Sequence, residues 1–378
     1  METKARRANM DVCVYDLKVL SNKLSNAKSE KIDRIFLEAK WIYNYSLSLE
    51  DSFSCSTKIR SVPVMVFNPE TQKCDISEDR EISMGSQILQ SCVDQTKRNI
   101  VNLSKSRKSG LKIGKLKFSK EVKRIHLKQY KTTFDVKDKK VRVQGIGWIK
   151  TKGNHQIEGE IACADLVKRA DGYHVLVTCY KDRVDEEKSG EIGIDLGIKD
   201  TVTLSDGRKF NVKFEYPERL KREQESLSRK IRGSRNYVKN VLRIRKTHQK
   251  WSNQKDDAAN KLVAKLKSFE RVVFQDENIK GWQEEWFGKQ VSIGILGRIK
   301  ARLKRLATSE MIDRYEPTTK RCHKCGRDVD LSLDNRVFKC YCGYEEDRDV
   351  KAAQYMLERK NIRKFEPTGR RGLPFCSS

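Results

Sequence analysis

Ile192-Gly193-Ile194-Asp195-Leu196-Gly197 decides how this chain is read. An aspartate at the end of an apolar, strand-forming run costs several kcal/mol if it is buried as an unpaired charge, so the run calls for a cation or a cluster of donors. Two further acids occupy comparable places. Glu277 closes Val272-Val273-Phe274-Gln275-Asp276-Glu277, and Asp349 lies in Asp347-Arg348-Asp349-Val350-Lys351-Ala352-Ala353, where a final helix starts. Two carboxylates at strand ends and a third at a helix start can converge on Mg²⁺. Hard carboxylate oxygens suit Mg²⁺ or Mn²⁺, and two such ions about 4 Å apart can activate water against a phosphodiester.

The order of elements around these acids carries information. After the strand Glu191 to Leu196 comes a hairpin, Thr201 to Leu204 turning at Asp206-Gly207 into Lys209 to Phe214. Pro217 opens a long helical region whose apolar stripe is Leu220, Leu227, Ile231, Val238, Val241 and Leu242, with a break at Gly233. Arg271 to Asp276 is a buried-type strand. Val291, Ile295, Leu296, Ile299, Leu303 and Leu306 then mark an amphipathic helix with a basic outer face, and Met311 to Tyr315 reads as a short strand. This is the order of a ribonuclease H-like sheet, in which the first strand is central and distant acids meet at one edge. Each acid also has a plainer reading. Asp195 could be structural, Asp276 rivals Glu277 as the second ligand, either could cap a strand end, and Asp347 could cap the helix and leave Asp349 to the site.

Between the second and third acids, Cys322-x-x-Cys325 and Cys340-x-Cys342 have the spacing of two thiolate knuckles, each followed by a glycine, Gly326 and Gly343. Four thiolates with no open position imply a structural zinc ion. His323 inside the first knuckle reads as a bystander. The other cysteines (Cys13, Cys55, Cys74, Cys92, Cys163, Cys179, Cys376) are scattered singly and read as thiols in a reducing compartment.

The 378 residues carry 80 Lys+Arg against 52 Asp+Glu, a formal charge of +28. Such a surplus repels itself in a compact state and calls for an anionic partner, usually nucleic acid. No run is long and apolar enough for a membrane span, and the basic, polar start lacks the apolar core of a secretory signal, so a cytoplasmic, nucleoid-associated protein is expected. Val12 to Val19 reads as a strand. Ser21 to Lys105 is mostly helical, with an irregular stretch from Ser56 to Arg80. Ser104 to Lys120 sets Lys105, Arg107, Lys108, Lys112, Lys115, Lys117 and Lys120 among glycines and small residues, either a backbone-gripping loop or a solvated linker. From Ile125 to Arg183 the pattern is β, with a hairpin joining Thr133–Val136 to Val141–Val143. A small barrel completed by the N-terminal strand is expected there, followed by a polar linker from Asp185 to Gly190.

The ordered motifs resemble a known family. Ile192 to Ile198 looks like the first RuvC motif of the transposon-encoded TnpB proteins and the related miniature CRISPR type V effectors. Phe274-Gln275-Asp276-Glu277-Asn278-Ile279-Lys280-Gly281-Trp282 with Trp286-Phe287-Gly288-Lys289-Gln290 is similar to the second motif. Thr318 to Gly326 resembles the start of their zinc element, and Asp347 to Ala353 the third motif. Two positions depart from the common pattern: Gln275 stands where many relatives carry the second-motif glutamate, and Lys351 where many have Asn. Glu277 then serves as the second acid, as in a branch with Gln-Asp-Glu.

The resemblance implies an α+β multidomain protein. Residues 1–20 would give the first strand of a wedge β-barrel, 21–105 a helical recognition domain, and 106–188 the rest of the barrel. Residues 189–316 would form the first part of a RuvC nuclease domain with a ribonuclease H fold, 317–346 an inserted zinc ribbon, and 347–378 the last RuvC helix and tail. It implies an RNA-guided, Mg²⁺-dependent DNA endonuclease with Asp195, Glu277 and Asp349 as catalytic metal ligands, and Zn²⁺ on Cys322, Cys325, Cys340 and Cys342. Its partners would be a guide RNA and target double-stranded DNA beside a short flanking motif. Trp282 and Trp286 could stack on single-strand bases or pack in the core. A nuclease-inactive RNA-guided binder and a guide-free structure-specific nuclease are the rival readings. Monomer or dimer, and transposon or CRISPR association, stay open.

Overall fold

The structure, a computed structural model, describes residues 6–7, 9–68, 70–71, 73–110, 112–183, 187–284, 288–332, 335–359 and 363–364. The chain divides into two compact units, the boundary falling between Arg183 and Val184. No helix among the described residues is long and apolar enough to cross a membrane.

The first unit is built on β1 (Met10–Val19), whose Leu17 and Val19 are buried. Helix α1 (Asn26–Ser48) starts where the Ser25 hydroxyl accepts the Lys28 N–H, and it turns Ile32, Ile35, Phe36, Ala39 and Ile42 into the core at the spacing of a helix face. Strands β2 (Ser61–Asn68) and β3 (Lys73–Glu81) follow, then α2 (Ser86–Lys108). Six more strands follow, four short and two long: β4 (Arg124–Leu127), β5 (Phe134–Lys137), β6 (Lys140–Val143), β7 (Gly147–Lys152), then β8 (Glu160–Arg169) and β9 (Gly172–Asp182). They form with β1 a seven-stranded antiparallel sheet in the order β4-β8-β9-β1-β7-β6-β5, which seats β1 in its interior. The β5–β6 loop is two residues, Asp138 and Lys139, both at positive φ, the geometry that matches strand twist.

The stretch Ser56 to Arg80, expected to be irregular, contains the β2–β3 hairpin, registered from Ser61 opposite Glu81 to Val66 opposite Ile76. Pro63 is tolerated because this ribbon has only two strands, and the acidic partner strand hides the alternation that would mark it. The hairpin's exit is fixed by Glu38, fully buried on α1. Its carboxylate accepts the Ser83 N–H and hydroxyl at 3.1 and 2.7 Å, the Met84 N–H at 2.8 Å and the Arg34 guanidinium at 2.6 Å. The basic run also differs: α2 continues to Lys108, so only the part beyond it is loop, and its seven cationic side chains are exposed. Asn44 clasps Ser119 through both backbone groups near the loop's end.

The second unit holds a six-stranded sheet. Its strands are β10 (Glu191–Asp195), β11 (Val202–Leu204), β12 (Lys209–Phe210), β13 (Arg271–Gln275), β14 (Ser309–Ile312) and, last in the chain, β17 (Arg363–Lys364), in the order β12-β11-β10-β13-β14-β17. β10, β13 and β14 run parallel, with Ile194 opposite Phe274 and Phe274 opposite Met311. Continuous burial of Ile192, Ile194, Val272, Val273 and Phe274 follows from cover on both faces. The helices are α3 (Glu218–Ser228), α4 (Arg235–Ala264), α5 (Ile279–Glu284), α6 (Gly288–Ile293), α7 (Leu296–Leu303) and α8 (Arg348–Glu358); between α7 and α8 the pair β15 (Val337–Lys339) and β16 (Glu345–Asp347) forms a small ribbon.

Two expectations need correcting here. The stripe on α3 and α4 is not covered throughout: Leu220 is buried, but Ile231, Val238 and Leu242 are exposed. At that end the two helices meet through polar groups, with Asn240 donating to the Glu223 carbonyl and Thr247 to its carboxylate. The strand expected over Met311 to Tyr315 is displaced to Ser309–Ile312, because Asp313 turns the chain by accepting the Glu316 N–H on its carbonyl and the Tyr315 N–H on its carboxylate.

Candidate active site and cysteine centre

Asp195 is the last residue of β10, and α8 crosses the same strand at Gly193. A Cβ added at Gly193 would lie 1.9 Å from the Ala353 carbonyl oxygen, so only glycine lets this helix lie so close. The contact carries the helix start, and Asp349 with it, toward the end of β10. Asp347 caps α8: its carboxylate accepts the Asp349 and Val350 N–H groups at 3.0 and 3.1 Å and the Lys209 ammonium at 2.7 Å. Asp349 is left uncommitted to the cap. Arg348 lies 3.4 Å and Arg336 3.9 Å from its carboxylate oxygens.

Asp195 is electrostatically the most stressed of the three. Burial first, then the charges of Asp349 and Glu277, push its pKa up to about 8. Burial also raises Glu277, against the pull of Lys300. Asp276 behaves oppositely. Against a burial effect that would raise it, Lys300, Lys304 and Arg314 hold it far below the usual carboxylate range, at 2.5, 3.0 and 3.1 Å. Asp276 is committed to three cations, of which Lys300 and Arg314 also act on Glu277, and Glu277 adds its charge to the field at Asp195. The charges of Asp349 and Glu277 reach Asp195, and three carboxylates are hard oxygen donors of the kind Mg²⁺ or Mn²⁺ takes; among the described residues, though, only the four cysteines stand close enough together to share one ion as they are. The cations around Asp276 were missed from sequence; Lys300 and Lys304, four apart on one helix face, were the signal.

The four cysteines meet. Their sulfurs all lie within 4.8 Å of one another, with Cys322 to Cys342 at 3.8 Å and Cys325 to Cys340 at 3.4 Å. Tetrahedral zinc with bonds of about 2.3 Å sets sulfurs about 3.8 Å apart, so the cluster fits that ion. Gly326 and Gly343 adopt positive φ of 74° and 88° to close the knuckles. The thiols titrate as a set: the Tyr344 N–H and the neighbouring thiols draw Cys342 down to about 7, while, against the Cys342 N–H, burial and the same neighbours push Cys340 up to about 12, so ionisation starts at Cys342. His323 packs edge-on to Tyr344 at 4.7 Å and is not one of the four ligands. Trp282 packs against the core of this unit, and Trp286 lies outside the described residues.

Both departures noted in the sequence have clear surroundings. Gln275 is buried and bonded to the main chain of residues 313–316. Lys351 is fully buried, donates to the carbonyls of Thr318 and Thr319, and lies 4.1 Å over the Phe338 ring. Neither side chain is directed at another acid, which is why sequence reasoning could not assign them.

Comparison with known proteins agrees with the motif order. Residues 174–271 match the OrfB_IS605 family, described as a probable transposase, and residues 298–356 match the Cas12f1-like TNB domain. A candidate RNA-guided DNA endonuclease from Streptomyces pristinaespiralis is 31% identical over 177 residues, 44% of this chain and 44% of that protein. The candidate RNA-guided DNA endonuclease InsQ of Escherichia coli K12 is 23% identical over 251 residues, 59% of this chain and 62% of that one. These matches thus span about half the length of the relatives. A solved complex of Cas12f1 with sgRNA and target DNA aligns at TM-score 0.49 and 14% identity, covering 88% of this chain and 83% of that one. By its two family matches and its relatives, the chain is a TnpB-like protein.

Proposed function

We propose that this chain is an RNA-guided DNA endonuclease whose Asp195, Glu277 and Asp349 hold Mg²⁺, or Mn²⁺, and whose four cysteines hold a structural zinc. The observation that carries the reading is Asp195: half-buried at the end of β10, its carboxylate is raised by burial and by the charges of Asp349 and Glu277, a repulsion that a cation at the strand end would relieve. The names of the relatives supply the substrate class. Bound at these acids, Mg²⁺ supplies Lewis-acid activation of the phosphate and a water of lowered pKa.

The chain's own part is positional. The end of β10 presents Asp195, Gly193 admits α8 to that strand, and Asp347 takes the capping bonds so that Asp349 is free of them. Asp276 pairs with Lys300, Lys304 and Arg314 and offsets part of their charge, which also falls on Glu277. The net +28 suits a structured RNA and two DNA strands, and the exposed cations from Lys105 to Lys120 suit the backbone of a guide–target heteroduplex. The seven-stranded sheet of the first unit would serve as the wedge and, with α1 and α2, read the short flanking motif.

The test has two arms. Sequencing the RNA that co-purifies with the protein should return a discrete species, and reconstitution with it and Mg²⁺ should cleave matching DNA. Asp195→Ala should abolish cutting and spare DNA binding. Absence of any discrete RNA would favour the guide-free nuclease instead.

A further inference from the structure

Gln275 lies two residues before Glu277, and Lys351 two residues after Asp349. Both reach the same segment, the connection from β14 into the cysteine ribbon. The Gln275 carboxamide nitrogen donates to the carbonyls of Asp313, Arg314 and Glu316 at 3.0, 3.2 and 2.8 Å. Its oxygen accepts the Thr318 hydroxyl at 2.9 Å. The Thr318 carbonyl in turn accepts Lys351 Nζ at 3.0 Å, and the Thr319 carbonyl accepts it at 2.9 Å. Gln275, Thr318 and Lys351 are 6%, 4% and 0% exposed, so the chain of bonds runs through the interior. Buried polar groups of this kind are costly to leave unpaired, which makes the arrangement directional and hard to slip. The far end is anchored in the ribbon, where Lys351 sits on the face of Phe338, itself fully buried beside Cys322 and Cys340.

We infer that Gln275, Thr318 and Lys351 form a positioning strut. It fixes the separation between the strand end that carries Glu277 and the helix that carries Asp349, and it transmits the folding of the cysteine ribbon to the acids. The inference rests on the reading of those acids as metal ligands. A glutamate at position 275 could not replace the glutamine, because its carboxylate would face three carbonyl oxygens with no proton to offer. The two departures from the common motif pattern are thus parts of one device. Lys351 and Gln275 touch no reacting group, so their effect is exerted through the acids.

The experiment reads metal binding rather than cleavage. Mn²⁺ affinity of the purified full-length protein is measured by electron paramagnetic resonance for the wild type, Asp195→Ala, Thr318→Val, Thr318→Ser, Lys351→Met and the Thr318→Val/Lys351→Met pair. Zinc content and melting midpoint are measured on each. The strut predicts that Thr318→Val and Lys351→Met each weaken Mn²⁺ binding on the order of tenfold, the usual size for groups that orient metal ligands, while zinc is retained. Thr318→Ser, which keeps the hydroxyl, should bind as the wild type does. The pair should be little worse than the poorer single variant, because one strut is broken either way. Folded, zinc-loaded Thr318→Val with wild-type Mn²⁺ affinity overturns the strut and leaves the acid site standing, and should Lys351→Met fail to fold, that variant decides by itself. Mn²⁺ binding that survives Asp195→Ala undermines the acid site itself, and the strut with it.

Discussion

The cysteine centre and the carboxylate centre lie in the same unit of the chain and are made in opposite ways. The cysteines fall between Cys322 and Cys342, on two glycine-closed turns, and their sulfurs already stand at distances close to those a tetrahedral ion imposes. The acids come from β10, the turn after β13 and the start of α8, elements joined only by the tertiary fold. Their arrangement is electrostatically unfavourable, as the Asp195 pKa of about 8 records. The first is a site that makes local structure; the second is one the surrounding structure must hold together.

That contrast predicts its largest effect at the cysteines. Structural zinc in small modules contributes about 10–16 kcal/mol of folding free energy. Chelation at neutral pH, or Cys322→Ser, should remove zinc and leave the ribbon without a fold, because its core among the described residues is as small as Cys322, Val329, Phe338 and Cys340 with Leu331 and Tyr344. Limited proteolysis should find new cuts between residues 320 and 345; a ribbon that stays protected without zinc would mean its fold does not depend on the ion. At the acids the loss should be catalytic instead. Asp195→Ala should slow single-turnover DNA cleavage on the order of 10³-fold or more, with the melting midpoint no lower than that of the wild type.

The same contrast explains what could be read in advance. Cysteine spacing is a local signal, and the apolar runs around Asp195 and Val272 to Phe274 announce covered parallel strands whatever else the chain does. The β2–β3 hairpin was invisible because one of its strands is acidic, and what fixes it, Glu38, sits on a helix far away in sequence. The periodicity of α3 and α4 shows that a face is apolar without showing what covers it, and at Ile231, Val238 and Leu242 little does. The choice between Asp276 and Glu277 depends on Lys300, Lys304 and Arg314, brought in by tertiary structure. Lys351 and Gln275 bond mainly to main-chain carbonyls, which no side-chain pattern reports.

Adjacent Asp276 and Glu277 give a smaller and sharper comparison. Asp276→Asn should leave three cations short of a partner and cost about 1–2 kcal/mol, since the group is only partly buried. Calorimetry should show a melting midpoint lower by several degrees, with metal-dependent cleavage largely kept. Glu277→Gln should do the reverse, keeping the melting midpoint and lowering cleavage on the order of 10²-fold or more. Exchanged phenotypes would make Asp276 the second ligand.

The smallest effect is the dependence of the metal-free fold on pH. An aspartate in an unfolded chain has a pKa of about 3.9. In the fold Asp195 is raised to about 8, so between those values the folded state keeps a proton that the unfolded state has released. Stability from this group is therefore full below pH 4, declines as pH rises, and is gone once pH passes 8. Asp195→Asn carries no charge to lose. Without divalent metal its melting midpoint should exceed that of the wild type by a margin that widens from pH 5 to pH 8 and then levels off. Mg²⁺ should close the gap by raising the wild type alone, because a ligand stabilises only the form that binds it. The cysteine centre should be unmoved by that addition. A margin that does not change with pH would mean that the repulsion among Asp195, Glu277 and Asp349 is already screened, and the case for a cation at the strand end would lose its electrostatic basis.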